Sequence, residues 1–138
     1  MKNILLAGLS SVALMSATAA MADDHEIKLG VILGFSGPLE SITPAMGASA
    51  ELAMKEVSES GAFLGGKTVT PVRGDSTCID AAAATATAER LLSAEGVAAI
   101  FGPDCSGVTS AVVNNVAVPQ GVLTISPSAT SPALSSIE

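Results

Sequence analysis

Basic residues are scarce in this chain. Six Lys and Arg stand against thirteen Asp and Glu over 138 residues, a formal charge of −7, and no stretch gathers the cations into a cluster. A nucleic-acid reader needs a basic stripe to neutralise phosphates, so that class is excluded; an acidic balance of this kind mainly favours solubility. Histidine is scarcer still, with His25 the only one. Ser-His-Asp catalysis needs a positioned imidazole, and a cysteine nucleophile would lack a basic partner. No G-x-G-x-x-G occurs, "GFSGPL" included; "GAFLGGKT" at 61–68 has the letters of G-x-x-x-x-G-K-[ST] but runs from an expected helix end at Gly61 into an expected strand, the reverse of the strand-loop-helix order that a phosphate-binding loop needs. Trp and Tyr are absent, and the aromatics are Phe35, Phe63 and Phe101 alone. Cysteine occurs twice, as Cys78 in "GDSTCID" and Cys105 in "GPDCSGVTS", 27 positions apart. That is neither a C-x-x-C redox motif nor enough ligands for a metal site. Asp75, Asp80 and Asp104 are the conceivable metal ligands; Asp80 is better read as favouring the start of a helix through its dipole, and the other two as solvated loop residues. No catalytic residue, no metal and no cofactor is expected.

What is present begins with a leader. "MKNILLAGLSSVALMSATAAMA" has a basic start at Lys2, an apolar run from Ile4 to Met15, and a small-x-small end at Ala20-Met21-Ala22. This is the pattern of a secretory signal peptide, and the run is too short and too interrupted by serine to span a bilayer. Cleavage after Ala22 is expected; Ala17-Thr18-Ala19 also fits. No cysteine stands near either bond to carry a lipid. Loss of Lys2 leaves five basic and thirteen acidic residues, a mature charge of −8. Export to an oxidising compartment makes a disulfide the simplest reading of two cysteines, and Cys78 and Cys105 have only each other.

After the leader, short apolar runs alternate with helical stretches. Residues 27–33, 67–74, 97–102 and 122–126 read as strands; Pro71 suggests an edge position for the second. Helices are expected from Pro44 to about Gly61, over 79–96 with Gly96 as its stop, and from Ser106 to Pro119 or Gly121. A further helix is possible after Ser131. The order β-α-β-α-β-α-β implies one α/β domain with a parallel sheet, strands buried on both faces and right-handed crossovers. In such sheets ligands bind beyond the carboxyl ends of the strands. Four loops rich in Gly, Ser, Thr and Pro occupy that edge: "GFSGPLES", "RGDSTC", "GPDCSG" and "SPSATSP". Both cysteines lie on it, so a disulfide would tie two of these loops together.

Two features there admit a functional as well as a plain reading. Ser106 opens a helix; it is either an N-cap accepting a first-turn amide or part of an anion site built from free amides and a hydroxyl. The hydroxyls at 126, 128 and 130 are either a turn before Pro132 or a polar rim facing a ligand.

Together, "IKLGVILGFSGPLES", "AELAMKEVSESGAFLGGK", "GDSTCIDAAAATATAERLLSAEGVAAIFGPDCSGVTSAV" and "GVLTISPSATSPALS" resemble the N-terminal lobe of the branched-chain amino-acid-binding proteins, two-lobed periplasmic substrate-binding components of ABC importers. The resemblance covers nearly all of residues 27–138, and the cysteine pair matches a disulfide found in that family. It implies that Ser106 helps bind the ligand carboxylate. It further implies that the carbonyl of Ser128 receives the ammonium and that Thr130 contacts the head group through its hydroxyl and amide. Ala129, between these two, belongs to the same binding segment. Two departures stand out. "GPLESITPAMG" lacks the aromatic that some members carry near the ligand side chain. The second lobe, with its acidic partner for the ammonium, and the segments that return to complete the first lobe have no counterpart in the sequence. The expectation is therefore a leader over 1–22 and, over 23–138, the first part of a ligand-binding lobe. Its expected role is to carry an amino-acid-like solute to an inner-membrane permease by closing two lobes around it, without chemistry on the ligand. The alternative from another class is an extracytoplasmic sensing module of a receptor or amide-type sensor.

Overall fold

The computed structural model of the chain describes residues 25–137. The expected leader and both candidate cleavage points lie outside the described residues. The first strand, β1 (Glu26–Leu33), lies inside a four-stranded sheet of order β2-β1-β3-β4, with every neighbouring pair parallel. β2 (Thr68–Asp75) pairs with β1 along its whole length, from Glu26 opposite Thr68 to Leu33 opposite Asp75. It forms one edge of the sheet, as Pro71 suggests: a residue without an N–H is tolerated where one side has no strand. His25 is held rather than frayed, since its carbonyl accepts the Thr68 N–H at 2.8 Å.

β3 (Ala99–Phe101) and β4 (Leu123–Ile125) are shorter than their apolar runs. The Val97 N–H turns back to the Leu91 carbonyl, which closes the preceding helix instead of extending the ladder. At the other end Gly102 takes φ +112, which ends β3. A Cβ there would lie 1.8 Å from the carbonyl oxygen of Ile32, so only glycine allows the chain to press so closely on β1.

Helices cover the two faces unequally. On one face lies α1 (Thr43–Glu59), with Pro44 in its first turn as expected. Its Met54 packs against Val31, Leu33 and Val69. On the other face lie α2 (Ala81–Arg90), which runs on through a π-turn (Leu91–Glu95), and α3 (Ser106–Val112), which runs on through a π-turn (Val113–Ala117) to a last turn at Val118–Gln120. Both stop at glycines in the left-handed region, Gly96 and Gly121. The π-turn before Pro119 has a local cause: proline cannot donate to the helix ladder, and its ring crowds the carbonyl four residues back. The alanines of α2 are small for a reason. Ala84 and Ala88 are fully buried in a core with Ile32, Leu91, Ile100, Val108, Val112 and Val116, so α2 lies close to both the sheet and α3.

Burial of the strands on both faces holds for β1 and not for β4. Side chains alternate across a strand. Thr124 faces the two-helix side, whereas Leu123 and Ile125 share the α1 side and are 64% and 59% exposed. α1 covers only the β1–β2 half of its face. The rest is an apolar groove lined by Leu29, Met54, Ala99, Phe101, Leu123 and Ile125.

Candidate functional site

The order β2-β1-β3-β4 places the reversal of strand order between β1 and β3, and in open parallel sheets the ligand crevice lies outside the carboxyl ends of the strands at that point. The loops after β1 and β3 flank it; those after β2 and β4 stand outside them. The four are joined by a dense set of bonds. A disulfide links Cys78 to Cys105 with Cα atoms 5.2 Å apart, the pairing expected from the two-cysteine count.

Ser106 is not the cap of α3. Cys105 holds that position, with no side-chain capping bond, and Ser106 is the first helical residue. Its hydroxyl oxygen instead accepts the N–H groups of Thr130 (3.0 Å) and Ser131 (3.1 Å). The "SPSATSP" loop thus bends back over the start of α3. Within that loop the Ser126 hydroxyl donates to the Pro103 carbonyl and accepts the Ala129 N–H at 2.9 Å. The Ser128 hydroxyl donates to the Asp104 carbonyl at 2.8 Å. Ser131 caps the short turn Pro132–Ser136, accepting the Ala133 N–H, where a further helix had been possible. Two of the three hydroxyls at 126, 128 and 130 therefore hold the loop in place. That of Thr130, exposed, has no partner among the described residues. Ser106, Ser128, Ala129 and Thr130, separated by up to 24 positions, come together in one patch between the third and fourth loops.

The acidic residues depart from expectation in two of three cases. Asp80 caps α2, accepting the N–H groups of Ala82 and Ala83 at 3.0 Å each, as its dipole role requires. Asp104 is not solvated. It is 2% exposed, and its carboxylate accepts the Gly34 N–H (3.0 Å), the Ser76 hydroxyl (3.2 Å) and the Cys105 N–H (3.0 Å). A carboxylate can be buried without a cation only when donors replace its water, and here three do. Sequence reasoning missed it because Gly34 and Ser76 lie 70 and 28 positions away. The available signal was its place between Pro103 and a disulfide cysteine, in a segment already expected to be tied down. Asp75 is half-buried and clasps the first loop to the second. It accepts the Ser36 hydroxyl and N–H and the Thr77 N–H (2.8 Å). Partial burial, the largest single influence, pushes its carboxyl up; the bonds from Ser36, Thr77 and Phe35 together outweigh it and hold the carboxyl below its usual range.

Outside this edge, the Arg73 guanidinium lies 4.8 Å from the Phe35 ring centroid and makes a two-pronged pair with Glu51. The Arg73 hydrogen bond lowers the Glu51 carboxyl and, reciprocally, raises the guanidinium. Among the described residues no three His, Cys, Asp or Glu side chains gather in a way that could hold a metal ion. The chemistry on offer is hydrogen bonding: a serine hydroxyl whose acceptor capacity is used and whose proton is not, a second hydroxyl beside it, and loop carbonyls.

The model of the family described as periplasmic binding protein matches residues 26–136. The chain belongs to that family. Members of the family are periplasmic substrate-binding proteins, and the relatives that this chain resembles include Leu/Ile/Val-binding protein homologues. It is 41% identical over 97 residues to Leu/Ile/Val-binding protein homolog 7 of Brucella abortus, covering 70% of this chain and 23% of that one. It is 33% identical over 130 residues to the leucine-specific-binding protein of Salmonella typhimurium, covering 94% of this chain and 33% of that one. Among solved structures, the branched-chain amino acid transporter substrate binding protein LivJ of Streptococcus pneumoniae, in complex with isoleucine, superposes with a TM-score of 0.71 at 36% identity, over 79% of this chain and 30% of that one. A solute binding protein of R. palustris in complex with benzoate superposes with a TM-score of 0.60 at 28% identity, over 75% of this chain and 28% of that one. This periplasmic binding protein chain thus spans 23% to 33% of the length of these two relatives.

Proposed function

We propose that the chain is the ligand-facing first part of an ABC importer's substrate-binding component, capturing a small amino-acid-like solute and passing it to an inner-membrane permease. Residues 1–22 are the leader, removed near Ala22 on export. Residues 23–138 form the beginning of a lobe that later segments complete and a second lobe faces. The function is capture and release by closure of the two lobes, with no reaction at the ligand.

The observation that carries this reading is the Ser106 hydroxyl. Two backbone amides occupy its oxygen, so what it has left to give is its proton. A carboxylate is acceptor-only and takes such a proton in a charge-assisted bond. The Thr130 hydroxyl, joined to Ser106 through its own backbone N–H, supplies a second donor. The carbonyls of Ser128 and Ala129 offer acceptors to an ammonium. Donors and acceptors side by side suit the zwitterionic head of an amino acid. The solutes named for the relatives, leucine, isoleucine, valine and benzoate, share a carboxylate.

Titration calorimetry of the full-length exported protein against these four solutes tests the reading. At least one should bind. Ser106→Ala and Thr130→Ala should each weaken that binding by about 1.5–3 kcal/mol, the cost of losing a hydrogen bond to a charged group, without unfolding the protein. Unchanged affinity in both variants would remove these residues from the site.

A further inference from the structure

Asp104 touches all four loops of the sheet edge. Its carboxylate takes one donor from the loop after β1 (Gly34 N–H, 3.0 Å) and one from the loop after β2 (Ser76 hydroxyl, 3.2 Å). A third comes from its own loop after β3 (Cys105 N–H, 3.0 Å), and its backbone carbonyl holds the loop after β4 through the Ser128 hydroxyl at 2.8 Å. The first loop is gripped from both sides at the same residue. While Asp104 holds the Gly34 N–H, the Thr43 hydroxyl donates to the Gly34 carbonyl at 2.7 Å. Gly34 fits tightly there: a Cβ would stand 3.1 Å from Cys78 Cβ and 3.3 Å from the Asp104 carboxylate. Ser76 and Thr43 are fully buried, and no cation pairs with Asp104 among the described residues.

We infer that Asp104 is the positioning residue of the candidate site, setting the Ser106 hydroxyl and the 128–130 segment at a fixed place relative to the loop after β1. The inference rests on the ligand reading of Ser106 given above, and it does not require Asp104 to touch ligand. Chemistry explains why the residue is a carboxylate. Donors converge on both of its oxygens. An asparagine has the same shape but one oxygen, so its amide NH2 must face at least one donor, whichever way it is turned. Serine or alanine would leave buried N–H groups without acceptors. The residue lies one position from the disulfide and two from Ser106, so a shift of its backbone is passed directly to both.

The test uses the full-length exported protein with Asp104→Asn, and Asp104→Ala as the harsher variant, alone and combined with Ser106→Ala. Amide hydrogen exchange needs no ligand. In Asp104→Asn, exchange at Gly34, Cys105, Thr130 and Ser131 should accelerate tenfold or more, while the amides of Ala88 and Val112 keep their protection. Calorimetry with L-leucine, L-isoleucine and benzoate should show affinity falling about tenfold or more for whichever the unaltered protein binds. That loss should shrink when Ser106 is already alanine, because the part of it transmitted through Ser106 is then gone. An equal loss in both backgrounds would show general damage and overturn the inference. Unchanged exchange at Thr130 and Ser131 would overturn it whatever the affinities. If none of the three solutes binds the unaltered protein, the ligand reading fails, and the exchange result still decides whether Asp104 sets the loops.

Discussion

The two faces of the sheet make an instructive contrast. Under α2 and α3 the core closes on itself: Ile32, Ala88, Leu91, Val112 and Val116 are fully buried. Under α1 the cover ends halfway, and Leu123 and Ile125 stand in the open beside Phe101. Both faces are built from the same kinds of residue, and what differs is how much chain is available to lie over them. Apolar side chains in a strand state that the strand is to be covered; they do not state by which part of the protein. The closed face is therefore where the folding free energy of this segment resides. The open face is where it carries a hydrophobic debt.

That contrast can be broken most visibly by cutting the segment out. Residues 23–138 alone should self-associate, because an exposed apolar face beside an unpaired edge strand attracts its like. Leu123→Lys with Ile125→Lys should restore a monomer in light scattering. A monodisperse, unaltered monomer would show that the open face needs no cover. Next in size is a pair of truncations measured by chemical denaturation of the charged variant, which serves as a monomeric host. Leu91→Ala on the closed face should cost about 2–5 kcal/mol. Phe101→Ala, at the margin of the open groove, should cost clearly less, and equal losses would erase the distinction between the faces.

Reduction of the disulfide comes third. Cys78 and Cys105 enclose α2 and β3, elements of the closed face, and the constraint on a loop of this size is worth roughly 3.5 kcal/mol. The exported full-length protein should give no alkylation of either cysteine without reductant, and a lower melting temperature with it. Quantitative labelling before reduction would disprove the link. The smallest effect is electrostatic. The Asp75 carboxyl lies below its usual range in the folded protein, so its contribution is complete above the unfolded value near pH 4 and is lost as pH falls through the lower folded value. Between about pH 4 and 2 the unaltered protein should lose stability that Asp75→Asn does not, by an amount under about 1 kcal/mol given the partial exposure. Parallel melting curves across that range check it.

The strands, the helices, the α/β order and the edge position of β2 could all be read from apolar runs, from Gly96 and Gly121, and from Pro71. These are local signals, written within a few residues of where they act. The cysteine pairing was readable for a different reason: with two cysteines there is one way to join them. Asp104 was not readable. Aspartate in a Gly-Pro loop is ordinarily solvated, and two of its donors come from the loops after β1 and β2, which reach it only after folding. Ser106 fell between the two cases. A serine at a helix start suggests a cap, but the loop that claims its oxygen comes 24 positions later. The shortness of β3 likewise depends on the Gly102 turn against Ile32 and on the Val97 amide returning to Leu91, contacts with no trace in the hydrophobic pattern.

The bonding of the four loops bears on the thermodynamics of capture. Segments that must become ordered around a ligand charge that ordering against its affinity, at about 0.5–1.5 kcal/mol for each side chain immobilised. Here the disulfide, the Asp104 carboxylate and the serine hydroxyls have already fixed the wall on which a solute would land. The entropy of arranging that wall is paid once, during folding, and is not demanded again each time a solute arrives. Such a wall should bind with little change in its own heat capacity, leaving the calorimetric signature of capture to the surfaces that close upon it.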